Sequence, residues 1–238
     1  MLNLYVTSTK RKSGKTFIST GLAATMQSLG YSVSVYKPIQ TCGIERNGFM
    51  QSPDLTYVKS VDPYINTHFT YLYKSNYEPL IAAENEDNPI DIEFINSEYR
   101  KISSASDCTV IDGDNGILSP IAPMLYNIDI IKKLKLPVLL VTNSDEDTIN
   151  DALLSINFLS QSNIDIRGVI INNIYADCDK TLLTSVPRII EEYTNAKVLG
   201  LVENIGTKVT PQDLITSMLN GIDIESVFDV KIEKLDCV

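Results

Sequence analysis

Three consecutive residues near the N-terminus, Gly14, Lys15 and Thr16, have the types and order that bind nucleotide phosphates. In a phosphate-binding loop (P-loop), backbone N–H groups and the positive end of the following helix surround the phosphate. The lysine reaches the β and γ phosphates, and the hydroxyl binds Mg²⁺. The common pattern also has a glycine where this chain has Thr9, or Ser8 in a loop one residue longer. The segment therefore predicts a nucleotide site that lacks the first glycine; the alternative is an ordinary strand-to-helix turn.

Three charged residues farther along the chain could complete a phosphoryl-transfer site. Lys37 ends a strand-like segment, and ligands of open α/β sheets bind at the carboxyl ends of strands. The alternative, which the position alone supports equally well, is an exposed lysine at the end of a strand with no role in binding. Asp54 follows the helix-start signals of Ser52-Pro53, so it is either a first-turn carboxylate favoured by the helix dipole or a Mg²⁺ ligand. Asp112 ends an apolar run, and an acid there, beside a P-loop, holds Mg²⁺ or its water.

The elements that must position these residues alternate along the chain. Strands are predicted at 2–7, 32–36, 108–112, 137–141, 167–172 and 198–202. Helices are predicted from residue 15 to a C-terminal cap at Gly30, after Ser52, and at 148–159, 181–193 and 211–219. Residues 43–50 are expected to form a loop, and residues 57–99 a helix, a loop and a helix. This pattern predicts one P-loop α/β domain over 1–238, similar to the nucleoside triphosphate hydrolases, with a mostly parallel sheet and helices on both faces.

Composition and charge exclude several functions. The net charge of −10 argues against non-specific binding to nucleic acid or anionic membranes, which needs clustered Lys and Arg. No apolar run approaches the roughly 18 to 20 residues that span a bilayer, and the N-terminus lacks a signal-peptide pattern, so we expect a cytoplasmic protein. The four cysteines have no metal-binding spacing. His68 is the one histidine, which excludes a histidine-based catalytic triad elsewhere.

These motifs together resemble the dethiobiotin synthetase family over essentially the whole chain. The family's loop, Gly-Thr-Asp-Thr-x-Val-Gly-Lys-Thr, is similar to residues 8–16. Its Lys-Pro at the end of the second strand, with a Ser or Thr shortly after, matches Lys37-Pro38 and Thr41. Further matches are the aspartate of its Ser-Asp at Asp54, its Glu-Gly-Ala-Gly-Gly at 112–116, its Pro-Leu at Pro120-Ile121, its Thr-Ile-Asn at 148–150, and a strand-ending asparagine at Asn172.

The resemblance implies a homodimer whose partners are small molecules: ATP, CO₂ and the vicinal diamine 7,8-diaminononanoate, with ATP and Mg²⁺ as cofactors and no nucleic acid or membrane. One amine becomes a carbamate, the carbamate takes the γ-phosphoryl group, and the second amine closes a cyclic urea as phosphate leaves. The family pattern then assigns catalysis to Lys12, Lys15, Lys37 and Thr41, and Mg²⁺ binding to Thr16, Asp54 and Asp112. It assigns nucleotide binding to Arg11, Ser13, Gly14, Lys15, Thr16, Phe17 and Asn172, the last of these at the base. It assigns substrate binding to Thr41, Asn115 and Asn150.

Several residues depart from the family pattern. Lys12 stands where the family often has an acid, Ser8 where the backbone should approach the phosphate closely, and Leu80 where a histidine is usual. Asp114 and Asn115 add a charge and a bulkier side chain to the turn after Asp112. The acidic segment 144–147 would repel a substrate carboxylate and suit an amine or solvent; the alternative is an exposed acidic helix cap.

Two other functions remain open. Lys10 falls at the position of an early-loop lysine that partitioning and site-selection ATPases, which are nucleotide-driven switches, use across a dimer. The acidic tail, residues 223–238, lacks the basic amphipathic surface that such switches use for DNA or membranes, which disfavours this function. The other alternative is a divergent paralogue with a different substrate or without turnover.

Overall fold

A seven-stranded sheet, parallel throughout, forms the centre of the computed structural model, which describes residues 1–145, 147–206 and 209–232. The strands are β1 Leu2–Ser8, β2 Val33–Gln40, β3 Ile44–Arg46, β4 Phe49–Gln51, β5 Asn66–Leu72, β6 Cys108–Gly116, β7 Pro120–Ala122, β8 Leu125–Tyr126, β9 Val138–Asn143, β10 Ile166–Ile174 and β11 Val198–Glu203. The sheet order is β11-β10-β9-β1-β6-β2-β5, while β3-β4 and β7-β8 are antiparallel hairpins. The chain leaves β1 towards β2 on one side and later crosses from β6 to β9 on the other side of β1. The carboxyl end of β1 therefore lies at the point where open α/β sheets bind ligands.

Local sequence signals fix several helix ends. The helices are α1 Lys15–Ser28, α2 Pro53–Val61, α3 Pro79–Asn85, α4 Ile92–Ser104, α5 Asn127–Leu134, α6 Thr148–Gln161, α7 Lys180–Tyr193, α8 Pro211–Gly221 and α9 Ile224–Phe228. Ser52 Oγ accepts a hydrogen bond from the Leu55 N–H at the start of α2. Gly30, at a φ of +92°, follows α1, and its N–H and that of Tyr31 bond to carbonyls of the last turn of α1.

Helices cover both faces of the sheet. One core packs α1, α2, α8 and α9 against it, a second packs α3, α4 and α5, and a third packs α6 and α7. Along β1, Leu4 and Val6 belong to the first core and Tyr5 to the second; along β9, Leu139 belongs to the first and Leu140 to the third. Alternate side chains of one strand point to opposite faces, so both faces are buried. The α/β fold that the sequence predicts is therefore confirmed.

Two predictions about local structure are wrong. Residues 43–50, expected as a loop, contain most of the β3-β4 hairpin, in which Asn47 and Gly48 have φ values of +53° and +77°. These positive values are typical of the type I′ turn that Asn-Gly favours. Residues 57–99, expected as helix, loop and helix, also contain β5, which lies at the edge of the sheet and pairs with β2 alone among the described strands. Most β5 side chains are exposed or half-buried, so its sequence carries little of the burial pattern that marks a strand.

Within the described ranges, no helix combines the length and apolarity needed to cross a bilayer. The single domain over 1–238 stays a prediction, because Glu146, residues 207–208 and the end of the acidic tail, 233–238, lie outside the described residues.

Candidate active site

The loop between β1 and α1 presents an open helix N-terminus. Gly14, at a φ of +83°, precedes α1 without a side-chain cap, so the first N–H groups of α1 are free to bind an anion. Asn172 Nδ2, from the end of β10, donates to the Ser13 carbonyl at 2.9 Å. A Cβ on Gly14 would lie 2.1 Å from that same Nδ2. The glycine is therefore required both by its backbone conformation and by the asparagine packed against it.

Ser8, at the position of the missing glycine, contacts Lys15. Lys15 Nζ donates to Ser8 Oγ at 3.1 Å, and the hydroxyls of Ser8 and Ser13 both donate to the Lys10 carbonyl at 2.8 Å. Burial, with a contribution from nearby Lys37, lowers the pKa of the Lys15 ammonium. An anion bound here would favour the charged form of Lys15, as the predicted phosphate-binding role requires.

A buried ion cluster joins the ends of β2 and β6 to α2. Lys37 Nζ, only 2% exposed, lies 2.8 Å from Asp54 Oδ2 and 3.0 Å from Asp112 Oδ2, and it donates to the Gly113 carbonyl at 3.1 Å. Burial disfavours the charged form of Lys37, but the Asp112 and Asp54 carboxylates outweigh it and raise the pKa of the ammonium. Asp54 is also partly buried, and Lys37 nevertheless lowers the pKa of its carboxyl. Lys37 and Asp54 are therefore held in their charged forms.

Oxygen atoms suited to Mg²⁺ converge at this cluster. Thr16 Oγ1 donates to Asp112 Oδ2 at 3.0 Å, and Ser19 Oγ donates to Asp112 Oδ1 at 3.3 Å. Asp54 lies across Lys37 from Asp112, so the three predicted ligands, Thr16, Asp54 and Asp112, lie together. Hydroxyl and carboxylate oxygens are the ligands that Mg²⁺ prefers, with water and phosphate completing its octahedron. The residues present therefore fit the metal.

A cavity of about 500 Å³ opens between the P-loop and the ends of β2 and β6. Its lining consists of Arg11, Lys12, Gly14, Lys15, Thr16, Lys37, Gln40, Thr41, Cys42, Asp54, Asn76, Asp114 and Asn115. Nine of these were expected from the sequence as catalytic, nucleotide, substrate or metal residues. The structure thus brings most of the predicted site residues to one cavity at the carboxyl end of the sheet.

The other five predicted residues lie outside this lining. Ser13 and Asp112 are buried behind it, and Asn172 is buried against the loop. Phe17 is half-buried and packs against the first core. Asn150 is exposed on the first turn of α6. The substrate role of Asn150 and the base contact of Asn172 stay predictions.

The acidic segment before α6 pairs with the P-loop. Lys10 Nζ lies 2.9 Å from Asp145 Oδ2 and 3.2 Å from Asp151 Oδ2. The hydrogen bond to Asp145 raises the pKa of Lys10, and Lys10 lowers that of Asp145 against the effect of burial. Asp147 is exposed at the N-cap of α6 without a side-chain cap bond, and Glu146 lies outside the described residues. Part of the acidic charge is therefore neutralised within the chain.

Sequence reasoning missed five residues at or near the cavity. Gln40, Cys42 and Asn76 line it, and Asp114 was noted only as a departure from the family pattern. Glu78 accepts hydrogen bonds from Asn115 Nδ2 at 2.9 Å and from Ser119 Oγ. The position of Gln40 directly before Thr41 was a usable signal; Asn76 and Glu78 follow β5, which the sequence pattern did not reveal.

A family model described as an AAA domain matches residues 2–212. The ATP-dependent dethiobiotin synthetase BioD of Brachyspira hyodysenteriae is 30% identical over 206 residues, 84% of this chain and 90% of that protein. The protein of the same name from Nitrosopumilus maritimus is 29% identical over 93% of this chain and 95% of that protein. The one from Bacillus subtilis strain 168 is 28% identical over 92% of this chain and 96% of that protein.

Solved structures share the fold. The MinC:MinD cell division protein complex of Aquifex aeolicus matches with a TM-score of 0.57 at 14% identity, over 91% of this chain and 86% of that one. The septum site-determining protein MinD complexed with Mg-ADP, from Pyrococcus horikoshii, matches with a TM-score of 0.56 at 14% identity, over 90% and 85%. At this identity the likeness establishes an α/β P-loop nucleoside triphosphatase fold.

Proposed function

Because the chain belongs to the dethiobiotin synthetase family, we propose that it joins CO₂ to 7,8-diaminononanoate with MgATP and closes the cyclic urea of dethiobiotin, releasing ADP and phosphate. It is an ATP-dependent ligase that forms carbon–nitrogen bonds. One observation carries the proposal: Lys15, Thr16, Lys37 and Asp54 line the same cavity, with Asp112 bonded directly behind them.

The proposed reaction has three bond-forming steps. One amine of the diamine attacks CO₂ and loses a proton, giving a carbamate. A carbamate oxygen attacks the γ-phosphorus of ATP, and ADP leaves with the bond electrons. The second amine then attacks the carbamoyl carbon and loses a proton, and inorganic phosphate leaves as the ring closes. Because the transferring phosphoryl group is anionic throughout, charge stabilisation and positioning are the main tasks of the protein.

The residues divide these tasks by position. The free N–H groups at the start of α1 and the Lys15 ammonium bind the β and γ phosphates. Thr16, Asp54 and Asp112 would hold Mg²⁺, which neutralises charge on the phosphoryl oxygens. Lys37 has all three N–H donors engaged, so it must give up one protein partner to bind the carbamate oxygen.

The pairing of Lys10 favours this ligase over a partitioning-type switch. A switch of that class needs the early-loop lysine to reach a partner subunit, but here two carboxylates of the same chain hold it. The net charge of −10 is also unsuited to DNA or an anionic membrane. A cytoplasmic homodimer that binds only small molecules completes the proposal.

Phosphate release from purified protein with MgATP and bicarbonate tests the proposal. We expect release to depend on 7,8-diaminononanoate and to produce the cyclic urea, while an aliphatic monoamine of the same length gives neither. Lys37→Ala should abolish turnover and retain nucleotide binding; Lys101→Ala, which removes an exposed lysine on α4, is the matched control. Phosphate release that ignores the diamine would support the switch, and nucleotide binding without turnover would support the divergent paralogue.

A further inference from the structure

Asp114 places a carboxylate in the cavity wall. It follows Asp112 and Gly113 at the end of β6 and lines the cavity. Its Oδ2 atom is enclosed and has no hydrogen-bond partner among the described residues. A buried polar atom without a partner is unfavourable, so a bound ligand that donates a hydrogen bond would stabilise this oxygen.

The cavity is otherwise cationic. Four of its lining residues carry positive charge, Arg11, Lys12, Lys15 and Lys37, and two carry carboxylates, Asp54 and Asp114. Asp54 already pairs with Lys37 at 2.8 Å. Asp114 therefore supplies an uncommitted carboxylate oxygen in a cavity whose four cationic side chains repel an ammonium.

Three neighbouring donors, from Arg11, Asn115 and Lys15, contact groups other than Asp114. Arg11 faces Glu78 at 3.9 Å, and Asn115 Nδ2 donates to the same Glu78 carboxylate at 2.9 Å. Lys15 donates to Ser8. Asp114 Oδ2 is therefore left without a donor among the described residues, and a molecule that enters the cavity can supply one.

We propose that Asp114 binds an ammonium group of the substrate and is the residue that selects an amine substrate in this cationic cavity. The inference rests on the proposed function, because a diamine brings positive charge to a wall with four cations. A carboxylate in contact with an ammonium forms a charge-assisted hydrogen bond, which is strong and short. Asp114 thus offsets the repulsion and orients one nitrogen beside the phosphate-binding loop.

Asp114→Asn tests this binding role. The amide retains the shape of the side chain and removes its charge. We expect both the dissociation constant and the Michaelis constant for the diamine to rise about 10- to 100-fold, the effect of losing one hydrogen bond between charged groups. Affinity for ATP and the Mg²⁺ requirement should stay unchanged. Asp165→Asn, the same change at an exposed position directly before β10, should alter none of these values, and Asp114→Glu should recover part of the diamine affinity.

Calorimetric titration of 7,8-diaminononanoate into protein saturated with a non-hydrolysable ATP analogue separates the outcomes. Normal diamine affinity in active Asp114→Asn would overturn only the role of Asp114, as would an increased Mg²⁺ requirement with unchanged diamine affinity. If the wild type binds the diamine through Asp114 but shows no diamine-dependent turnover, only the proposed reaction is overturned. A wild type that does not bind the diamine would overturn both.

Discussion

Lys37→Met should destabilise the metal-free protein because it leaves buried negative charge without a partner. Lys37 bonds to Asp54 at 2.8 Å, to Asp112 at 3.0 Å and to the Gly113 carbonyl at 3.1 Å. Asp112 is 1% exposed, so water cannot replace the ammonium there, whereas Asp54 is 26% exposed and remains partly solvated. Removing one partner of a buried pair costs about 3–5 kcal/mol of unfolding free energy. We expect that cost for Lys37→Met.

The charge argument also predicts non-additivity. Asp112→Asn removes the buried charge, so the double variant Lys37→Met/Asp112→Asn should be more stable than Lys37→Met alone. Urea denaturation in EDTA, followed by far-UV circular dichroism and by the fluorescence of the 12 tyrosines in a chain without tryptophan, measures all four proteins. A cost for Lys37→Met below about 1 kcal/mol, or additive costs of the two substitutions, would refute the reasoning.

Two further predictions follow from the loop and the ion cluster. Gly14→Ala combines a left-handed φ with a Cβ 2.1 Å from Asn172 Nδ2, whereas a Cβ on Gly30, at φ +92°, would have no atom of the described residues within 4 Å. In urea denaturation, Gly30→Ala should therefore lose about 1–2 kcal/mol of unfolding free energy and Gly14→Ala should lose more. Calorimetry should also show that Gly14→Ala has lost ATP affinity. Equal losses of stability together with normal ATP binding by Gly14→Ala would contradict this. Since Lys37 lowers the pKa of Asp54, the folded protein binds fewer protons there than the unfolded chain, and this stability is lost as pH falls below the ordinary aspartate pKa. The stability advantage of wild type over Asp54→Asn in EDTA should shrink between about pH 5 and about pH 3, and an advantage that grows would be inconsistent with it.

Local signals predicted much of the scaffold. Ser52-Pro53 begins a helix and Gly30 ends one, because capping depends on residues a few positions apart. The order of strands and helices was enough to place Lys15 and Asp112 at the same end of the sheet. By contrast, β5 is defined by its pairing with β2, a contact between distant segments that the local pattern does not encode.

The contacts of the charged residues were harder to predict than their location. The sequence indicated that Lys37 and Asp112 would lie near the phosphates, but not that two carboxylates and a carbonyl occupy the three donors of Lys37. Nor did it indicate that Lys10 would be held by Asp145. Such partners depend on side-chain geometry across several elements, and charge type and spacing alone leave many combinations open.

Transfer of ¹⁸O from labelled CO₂ into inorganic phosphate tests the proposed chemistry most directly. If a carbamate oxygen attacks the γ-phosphorus and then leaves with it, each phosphate should carry one oxygen from CO₂, and the other labelled oxygen should remain in the cyclic urea. Rapid mixing of the protein, MgATP and 7,8-diaminononanoate with C¹⁸O₂, followed by mass spectrometry of phosphate and product, measures both. Unlabelled phosphate formed alongside the urea would show that water, rather than the carbamate, accepts the phosphoryl group, and would contradict the mechanism.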